Sequence, residues 1–236
     1  MATFVLGDIH GFARALKQCL ERSQFDIEND QLIFLGDVCD RGPETVECID
    51  ILLRIKNLKA IIGNHDKWTM DWLLGNSFDY ELWTQHGGNE TITSYTKSSN
   101  FENIREHHLK EYFNKMTPYF KDDKNRVFLH AGFDWKLPIE ETTPEEVYYW
   151  DREFFKNAII TNDSGVNFPI SNPYAEIYIG HSPTHRLDKI YDGSKPIKFC
   201  NVWMMDQGAG FQKYLSMMNI DSKEVFQSDL ISKLYK

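Results

Sequence analysis

The sequence has few cysteines, no long apolar run and no excess of basic residues. Its cysteines lack CxxC spacing and lie mostly within apolar runs, which predicts buried, reduced thiols at Cys19, Cys39, Cys48 and Cys200. No apolar run approaches the ~18 residues of a membrane span, and the first residues lack the basic start of a signal peptide. We therefore expect a cytoplasmic protein without a membrane partner.

Acidic residues outnumber basic ones, with 35 Asp and Glu against 26 Lys and Arg and a formal net charge of −9. No basic stripe is present to neutralise a run of phosphates, so nucleic-acid binding is not expected. An anionic substrate would need positive charge supplied locally. Hydrophobic residues make up 42% and aromatic residues 14% of the chain, which predicts one ordered domain over residues 1–236. No pattern indicates an oligomeric state.

The apolar pattern predicts three strand–loop–helix units at the start of the chain. Their strands are expected at residues 3–6, 32–35 and 59–62, and the second helix is expected to begin within 42–44. A helical covering segment follows over 76–117. Further strands are predicted at 126–129 and 178–179, a helix start at 143–146, and a mostly extended last third over 197–205, 213–218 and 224–227.

Five predicted strands end in side chains of the kinds that bind metals, each beside a glycine. The sets are Asp8 with His10, Asp37 with Asp40, Asn64 with His65, His130, and His181. Residues two apart in an extended segment project to the same side, so Asp8 and His10 can reach one ion together. Oxygen and imidazole ligands without cysteine suit Mn²⁺, Fe or Zn²⁺. Two such ions ~3.5–4 Å apart could clamp a phosphoryl group.

Each set also has an ordinary structural interpretation. An isolated Asp-x-His is more often a turn acid beside a half-buried imidazole, Asp40-Arg41 alone is more often a surface ion pair, and Asn64 alone is a common turn residue. Five such sets, each after an apolar strand, favour a shared site. Two divalent cations would outweigh the carboxylates of Asp8 and Asp37 and a bridging hydroxide, so the site would attract a phosphate dianion even in an acidic protein.

The motifs stand in the order GDIHG (7–11), GDVCDRG (36–42), GNHD (63–66), HAG (130–132) and GH (180–181). This series resembles the phosphoprotein phosphatase group of the calcineurin-like metallophosphoesterase superfamily, in particular its compact bacterial and phage serine/threonine phosphatases. The resemblance implies an α/β fold with a central β-sandwich flanked by helices, in four αββα layers. There are two departures. Asp66 stands where glutamate is common, and residues 206–210 replace the C-terminal loop of the eukaryotic members.

The resemblance implies two divalent metal ions, with Mn²⁺ expected first and Fe or Zn²⁺ as alternatives. One ion would be bound by Asp8, His10 and Asp37, and the other by Asp37, Asn64, His130 and His181. His65 would protonate the leaving oxygen, with Asp40 holding its ring, while a hydroxide that bridges the metals attacks in line. Phosphate oxygens would be held by Arg41, Asn64 and Arg152, although Arg152 alone could be a helix-surface arginine.

The same resemblance implies hydrolysis of phosphate monoesters, above all phosphoserine or phosphothreonine in proteins, and of small esters as well. The alternative enzyme is a dinucleoside polyphosphate (Ap4A-type) hydrolase. Symmetrical Ap4A hydrolases resemble GDIQG and GDxxNRG, whereas this chain has His10 and Asp40, but another Ap4A-cleaving branch keeps both. A catalytically silent binding module would be expected to lack a ligand or His65, and none is lost. His86 could line the cleft or form a turn. Three other histidines are predicted to lie on the surface: His107, His108 and His185.

Overall fold

The computed structural model describes residues 1–97, 99–165, 174–187 and 189–236. Its strands are β1 (Thr3–Leu6), β2 (Gln31–Phe34), β3 (Asn57–Ala60), β4 (Tyr119–Lys121), β5 (Arg126–Leu129), β6 (Glu176–Ile179), β7 (Ile197–Phe199), β8 (Val202–Met204), β9 (Ser216–Asn219) and β10 (Val225–Gln227). Its α-helices are α1 (Ala13–Arg22), α2 (Thr45–Leu52), α3 (Asn64–Leu74), α4 (Tyr80–Trp83), α5 (Asn89–Thr96), α6 (Phe101–Glu111), α7 (Val147–Trp150), α8 (Glu153–Asp163) and α9 (Ile231–Leu234).

The strands form two five-stranded sheets with the same central plan. The first has the order β10-β9-β1-β2-β3 and the second the order β4-β5-β6-β8-β7. Three neighbouring strands run parallel in each sheet, namely β1, β2 and β3 in the first and β5, β6 and β8 in the second. Because parallel strands end at the same edge of their sheet, each sheet collects three carboxyl-terminal strand ends at one edge.

Successive strand residues alternate between two apolar layers. Val5 of β1 lies between the two sheets with Phe128 of β5, whereas its neighbours Phe4 and Leu6 face the helices outside the first sheet. The second sheet buries its outer face against α8, which contributes Phe154. Both faces of each sheet are therefore covered, as expected for α/β strands without a polar face. This arrangement confirms the predicted sandwich flanked by helices.

Two predicted helix starts are wrong. Helix α2 begins at Thr45, after the predicted Pro43, because the amide of Glu44 donates to Gly11 O (3.0 Å) and its carboxylate accepts from the amide of Ala13 (3.1 Å). Residues 42–44 thus bind the start of α1 instead of opening their own helix. The predicted helix at 143–146 begins only at Val147, after a tight turn closed by its amide and Pro144 O (3.1 Å).

The strand predicted over 197–205 is in fact a hairpin. Strands β7 and β8 pair antiparallel, and the turn between them contains Cys200 at a φ of +54°. A cysteine between apolar residues gave no turn signal in the sequence. The strand predicted over 59–62 ends at Ala60, and Ile61 instead forms an isolated bridge with Thr117.

The predicted burial of the cysteines is confirmed for three of the four, and the predicted exposure of the histidines is confirmed only for His107. All four cysteines are free; Cys19, Cys39 and Cys48 are buried and Cys200 is half-buried. Of the three predicted surface histidines, only His107 is exposed. His185 is half-buried and His108 is 1% exposed. Among the described helices, none combines the length and apolar character that a membrane crossing needs.

His108 joins α6 to neighbouring elements through both ring nitrogens. Nδ1 lies 2.8 Å from the hydroxyl oxygen of Tyr95 in α5, and Nε2 lies 3.2 Å from Asp50 Oδ1 in α2. Burial lowers the pKa of His108 and outweighs the opposing effect of Asp50. The folded protein therefore favours the neutral imidazole at this position.

We predict that His108 makes the protein less stable in mild acid. As the pH falls below about 6.5, the unfolded chain binds a proton at this position that the folded chain does not, so the free energy of unfolding decreases. His108→Gln should lose less stability between about pH 7.5 and about pH 5.5 than the wild type, measured by urea unfolding. The exposed control His107→Gln should keep the wild-type dependence, and an unchanged dependence in His108→Gln would contradict the prediction.

Candidate metal centre and active site

The predicted site residues follow the carboxyl-terminal ends of the parallel strands, and five of the eight line one cleft of about 610 Å³, namely His10, Asp37, Asn64, His65 and His181. Asp8 and His10 follow β1, Asp37 and Asp40 follow β2, and Asn64 and His65 form the first turn of α3 after β3; in the second sheet, His130 follows β5 and His181 follows β6. All eight side chains are buried. The cleft wall includes Asp37, His65, Arg41, Arg152 and His181.

The loops after the strands turn sharply enough that several site residues adopt left-handed backbone conformations. Their φ values are +50° at His10, +60° at Asp37, +71° at Asp40, +68° at Arg41 and +60° at His181. This region is unfavourable for residues other than glycine, at a cost on the order of 1 kcal/mol or more each. The surrounding packing must therefore supply that energy to hold the side chains toward the cleft.

Two glycines allow carboxylates to lie directly against the backbone. A Cβ at Gly63 would stand 2.1 Å from Asp37 Oδ1, and a Cβ at Gly180 would stand 2.1 Å from Asp8 Oδ1. Neither position has room for a larger side chain unless the acid moves. The amides of His65 and His181 then donate to Asp37 Oδ1 (3.0 Å) and Asp8 Oδ2 (3.0 Å). Each motif thus orients a carboxylate that belongs to another motif.

Two overlapping groups of side chains bring their ligand atoms within 4.8 Å of one another. One group contains His10, Asp37 and His65, and the other contains Asp37, His130 and His181. Asp37 belongs to both, as a bridging carboxylate would. Asn64 lies beside the second group, with Oδ1 3.2 Å from His130 Nε2. The first group contains His65, whereas the sequence predicted Asp8 as the third ligand. The carboxylate of Asp8 instead packs against Gly180.

The rings of His10 and His130 are oriented so that Nε2 points to where a cation would bind. His10 Nδ1 donates to Cys39 O (2.9 Å) and His130 Nδ1 donates to Leu35 O (2.8 Å), which leaves Nε2 of each ring facing Asp37. A ligating histidine commonly uses its second nitrogen in this way. His181 Nε2 is buried without a hydrogen-bond partner. A buried ring nitrogen without a partner is costly unless it binds a ligand.

The carboxylates at the site repel one another. Burial, together with Asp206 and Asp37, raises the pKa of Asp8 well above its usual range. Burial and the charge of Asp37 also raise the pKa of Asp206 to about 6. Burial lowers the pKa of His130, but Asp37 and Asp8 outweigh it and raise that pKa to about 10. The buried carboxyl groups are therefore not fully compensated by the side chains around them, and the donor set fits hard or borderline divalent cations.

Asp40 is fixed by three donors. Its carboxylate accepts from His65 Nδ1 (2.6 Å), Trp83 Nε1 (2.9 Å) and Thr91 Oγ1 (2.7 Å), and its side chain is fully buried. Trp83 ends α4 and Thr91 lies in α5, so the segment 76–117 builds part of the site as well as covering the core. The pairing leaves His65 Nε2 as the ring nitrogen free to face the cleft.

Asp66 organises the loop after β2 despite being one methylene shorter than glutamate. Its carboxylate accepts from the amides of Asp37 (2.7 Å), Val38 (2.9 Å) and Gly63 (3.0 Å). Three backbone donors on one buried carboxylate tie the second motif to the third. The departure from glutamate therefore keeps this supporting contact.

Both predicted phosphate-binding arginines lie in the cleft. The Arg41 amide donates to Gly87 O (3.0 Å), and its guanidinium lies 4.3 Å from the Phe211 ring centroid. Arg152 is exposed and lies just before α8, with Nη1 3.4 Å from Ser182 Oγ. The guanidinium of Arg152 thus lies in the cleft, next to the residue that follows His181 of the fifth motif, rather than on an outer helix surface.

Sequence reasoning missed Asp206, Trp83 and Thr91. Asp206 follows β8, the third parallel strand of the second sheet, and is 4% exposed in the cleft. An apolar strand followed by an acid with Gly208 two residues on repeats the pattern of the other motifs, and this signal could have identified it. Trp83 and Thr91 had no such signal because they act on Asp40 through tertiary packing. His86 lines the cleft, exposed, with Nδ1 donating to Leu82 O (2.8 Å).

This fold and site define a metallophosphoesterase. The model of the calcineurin-like phosphoesterase family matches residues 1–208, and the chain belongs to that family. It is therefore a phosphate-ester hydrolase.

Two related proteins and one solved structure indicate which phosphoesterases the chain resembles. The chain is 25% identical to serine/threonine-protein phosphatase 1 of Salmonella typhimurium over 228 residues, which cover 92% of this chain and 91% of that protein. It is 29% identical to the symmetrical bis(5'-nucleosyl)-tetraphosphatase of Coxiella burnetii over 140 residues, which cover 59% of this chain and 45% of that protein. A solved candidate diadenosine tetraphosphatase superposes with a TM-score of 0.63 at 16% identity over 95% of this chain and 91% of that one, which supports the fold alone.

Proposed function

We propose that this protein hydrolyses phosphate monoesters, with phosphoserine and phosphothreonine in proteins as its main substrates. The observation that carries this proposal is the pair of His65 and Asp40, joined by a 2.6 Å hydrogen bond at the cleft. A serine or threonine alkoxide is a poor leaving group, so its departure needs a proton donor. A nucleotide leaving group is a weaker base and needs that proton less.

The residues present would hold two divalent cations that share Asp37. We propose His10, Asp37 and Asp8 at one ion, and Asp37, Asn64, His130 and His181 at the other. Bound divalent ions supply charge neutralisation at the phosphate and activation of water. Mn²⁺ is the ion we expect, because the donors are carboxylate, amide and imidazole without thiolate, with Fe and Zn²⁺ as the other candidates.

The side chains of the chain itself position the phosphate and move the proton. Arg41 and Arg152 line the cleft with Asn64, so two guanidinium groups and an amide can donate to phosphate oxygens. Asp40 orients the ring of His65 by accepting a hydrogen bond from Nδ1. His65 Nε2 then faces the leaving oxygen and gives its proton there.

A second candidate substrate is a dinucleoside polyphosphate. The alignment with the symmetrical tetraphosphatase of Coxiella burnetii favours it, although that alignment covers 45% of the relative. The alignment with serine/threonine-protein phosphatase 1 covers both proteins almost completely, and His10 and Asp40 keep the residues expected of that group. The protein phosphatase therefore remains the first candidate.

The remaining parts of the proposal concern the number of domains, the location of the protein and its partners. We propose that residues 1–236 act as one domain, because β9 and β10 return to the sheet that begins with β1. The buried, free thiols of Cys19, Cys39 and Cys48 fit a cytoplasmic protein. Its partners would then be phosphorylated proteins or small phosphate esters.

We predict that the Mn²⁺-loaded protein releases phosphate from a phosphothreonine peptide with a higher kcat/KM than it cleaves Ap4A at matched concentration. Phosphate release and nucleotide chromatography measure the two reactions side by side. A preference for Ap4A would contradict the proposed substrate class and make the protein a nucleotide hydrolase.

We predict that His65→Asn lowers kcat for phosphothreonine peptides ~10²–10⁴-fold, the usual scale of general acid catalysis. The loss should be much smaller for p-nitrophenyl phosphate, whose leaving group needs little protonation. His107→Asn, an exposed substitution in α6, serves as the control. Equal losses on both substrates would remove His65 from the role of general acid.

A further inference from the structure

The loop at 206–212 is fastened to the turn Thr184–Leu187 at the mouth of the cleft. The amide of Thr184 donates to Asp206 O (2.9 Å), its hydroxyl donates to the same oxygen (3.1 Å), and Gln207 Nε2 donates to Thr184 Oγ1 (3.3 Å). The loop is also pressed onto the site, because a Cβ at Gly210 would stand 2.4 Å from His10 Cδ2. These contacts bring Arg186 of the turn and Phe211 of the loop together at a fixed position.

The guanidinium groups of two arginines lie over the ring of Phe211. The Cζ atoms of Arg41 and Arg186 lie 4.3 Å and 5.1 Å from its centroid. Stacking on an aromatic ring orients a guanidinium while leaving its N–H donors free for an anion. Phe211 is 37% exposed, which is unusual for a phenylalanine and leaves the stacked group accessible from solvent. The role proposed above for Arg41 does not account for the presence of Arg186.

Three guanidinium groups line one cleft, and none of them forms an ion pair with a carboxylate among the residues that the structure describes. The arginine–carboxylate ion pairs in the described part of the chain involve Arg14, Arg22, Arg105 and Arg126, and none involves Arg41, Arg152 or Arg186. After burial, the charge of Arg186 is the next cause that lowers the pKa of Arg152, so the two cations are near each other. The cleft lining also contains an acidic residue, Glu90. The positive charge is therefore local to the three arginines and does not extend over the whole cleft.

We propose that Arg186, oriented on Phe211, forms a second anion subsite beside the scissile phosphate. It binds an acidic side chain, or a second phosphate, next to the phosphorylated residue. This inference rests on the proposed function and specifies its substrate class as acidic phosphoprotein segments. The net charge of −9 would otherwise repel such segments, so a local cation at the cleft mouth is required for them.

The test compares two phosphothreonine peptides that differ only in flanking residues, glutamate in one and glutamine in the other. We expect the wild type to prefer the glutamate peptide about fivefold in kcat/KM, through KM, as for a favourable exposed ion pair. Arg186→Gln should reduce this ratio to about one, and Arg186→Lys should restore part of it. Arg54→Gln, which removes the same charge from an exposed position outside the cleft, should keep the wild-type ratio.

A ratio near one in the wild type, or an unchanged ratio in Arg186→Gln, would overturn the subsite while leaving the proposed function intact. Cleavage of Ap4A without hydrolysis of either peptide would overturn the proposed function instead. In that case the subsite is tested on the polyphosphate chain. An increase of about fivefold in the KM for Ap4A in Arg186→Gln, but not in Arg54→Gln, would support it, and no increase would overturn it.

Discussion

Negative charge gathered at the edge of an apolar sandwich is the constraint on which this structure depends. Asp8, Asp37 and Asp206 follow three different strands, and each is at most 4% exposed. Burying an uncompensated carboxylate costs several kcal/mol, so three together require cations and donors around them. Part of this compensation comes from imidazoles of both sheets, from backbone amides and from arginines at the cleft. Divalent metal ions would supply the rest.

The same requirement explains why the loops at the strand ends are strained and interlocked. Left-handed residues such as Asp37 and His181 direct their side chains inward, and glycines such as Gly63 and Gly180 let one motif's carboxylate lie against another motif's backbone. Asp66 then ties the second motif to the third through three amide donors. A change at one motif is therefore expected to disturb its neighbours, because each orients a side chain of the next.

Much of this could be predicted from local pattern. The strands that supply the site are short apolar runs followed by glycine and polar residues, and β1 and β5 have the predicted bounds. What the sequence could not provide depends on tertiary contacts. Trp83 and Thr91 bind Asp40 across the fold, a contact that no local pattern specifies, and His108 is buried by helices whose packing no periodicity specifies. The stacking of Arg41 and Arg186 on Phe211 likewise joins residues far apart in the chain.

The central claim is that the carboxylate of Asp37 is shared by two metal ions. The most direct measurement is a crystal structure of the protein with Mn²⁺, with an anomalous difference map recorded at the manganese edge. The account predicts two peaks on either side of Asp37, one near His10 and one near His130 and His181, ~3.5–4 Å apart. A single peak, or two peaks that do not both contact Asp37, would contradict it.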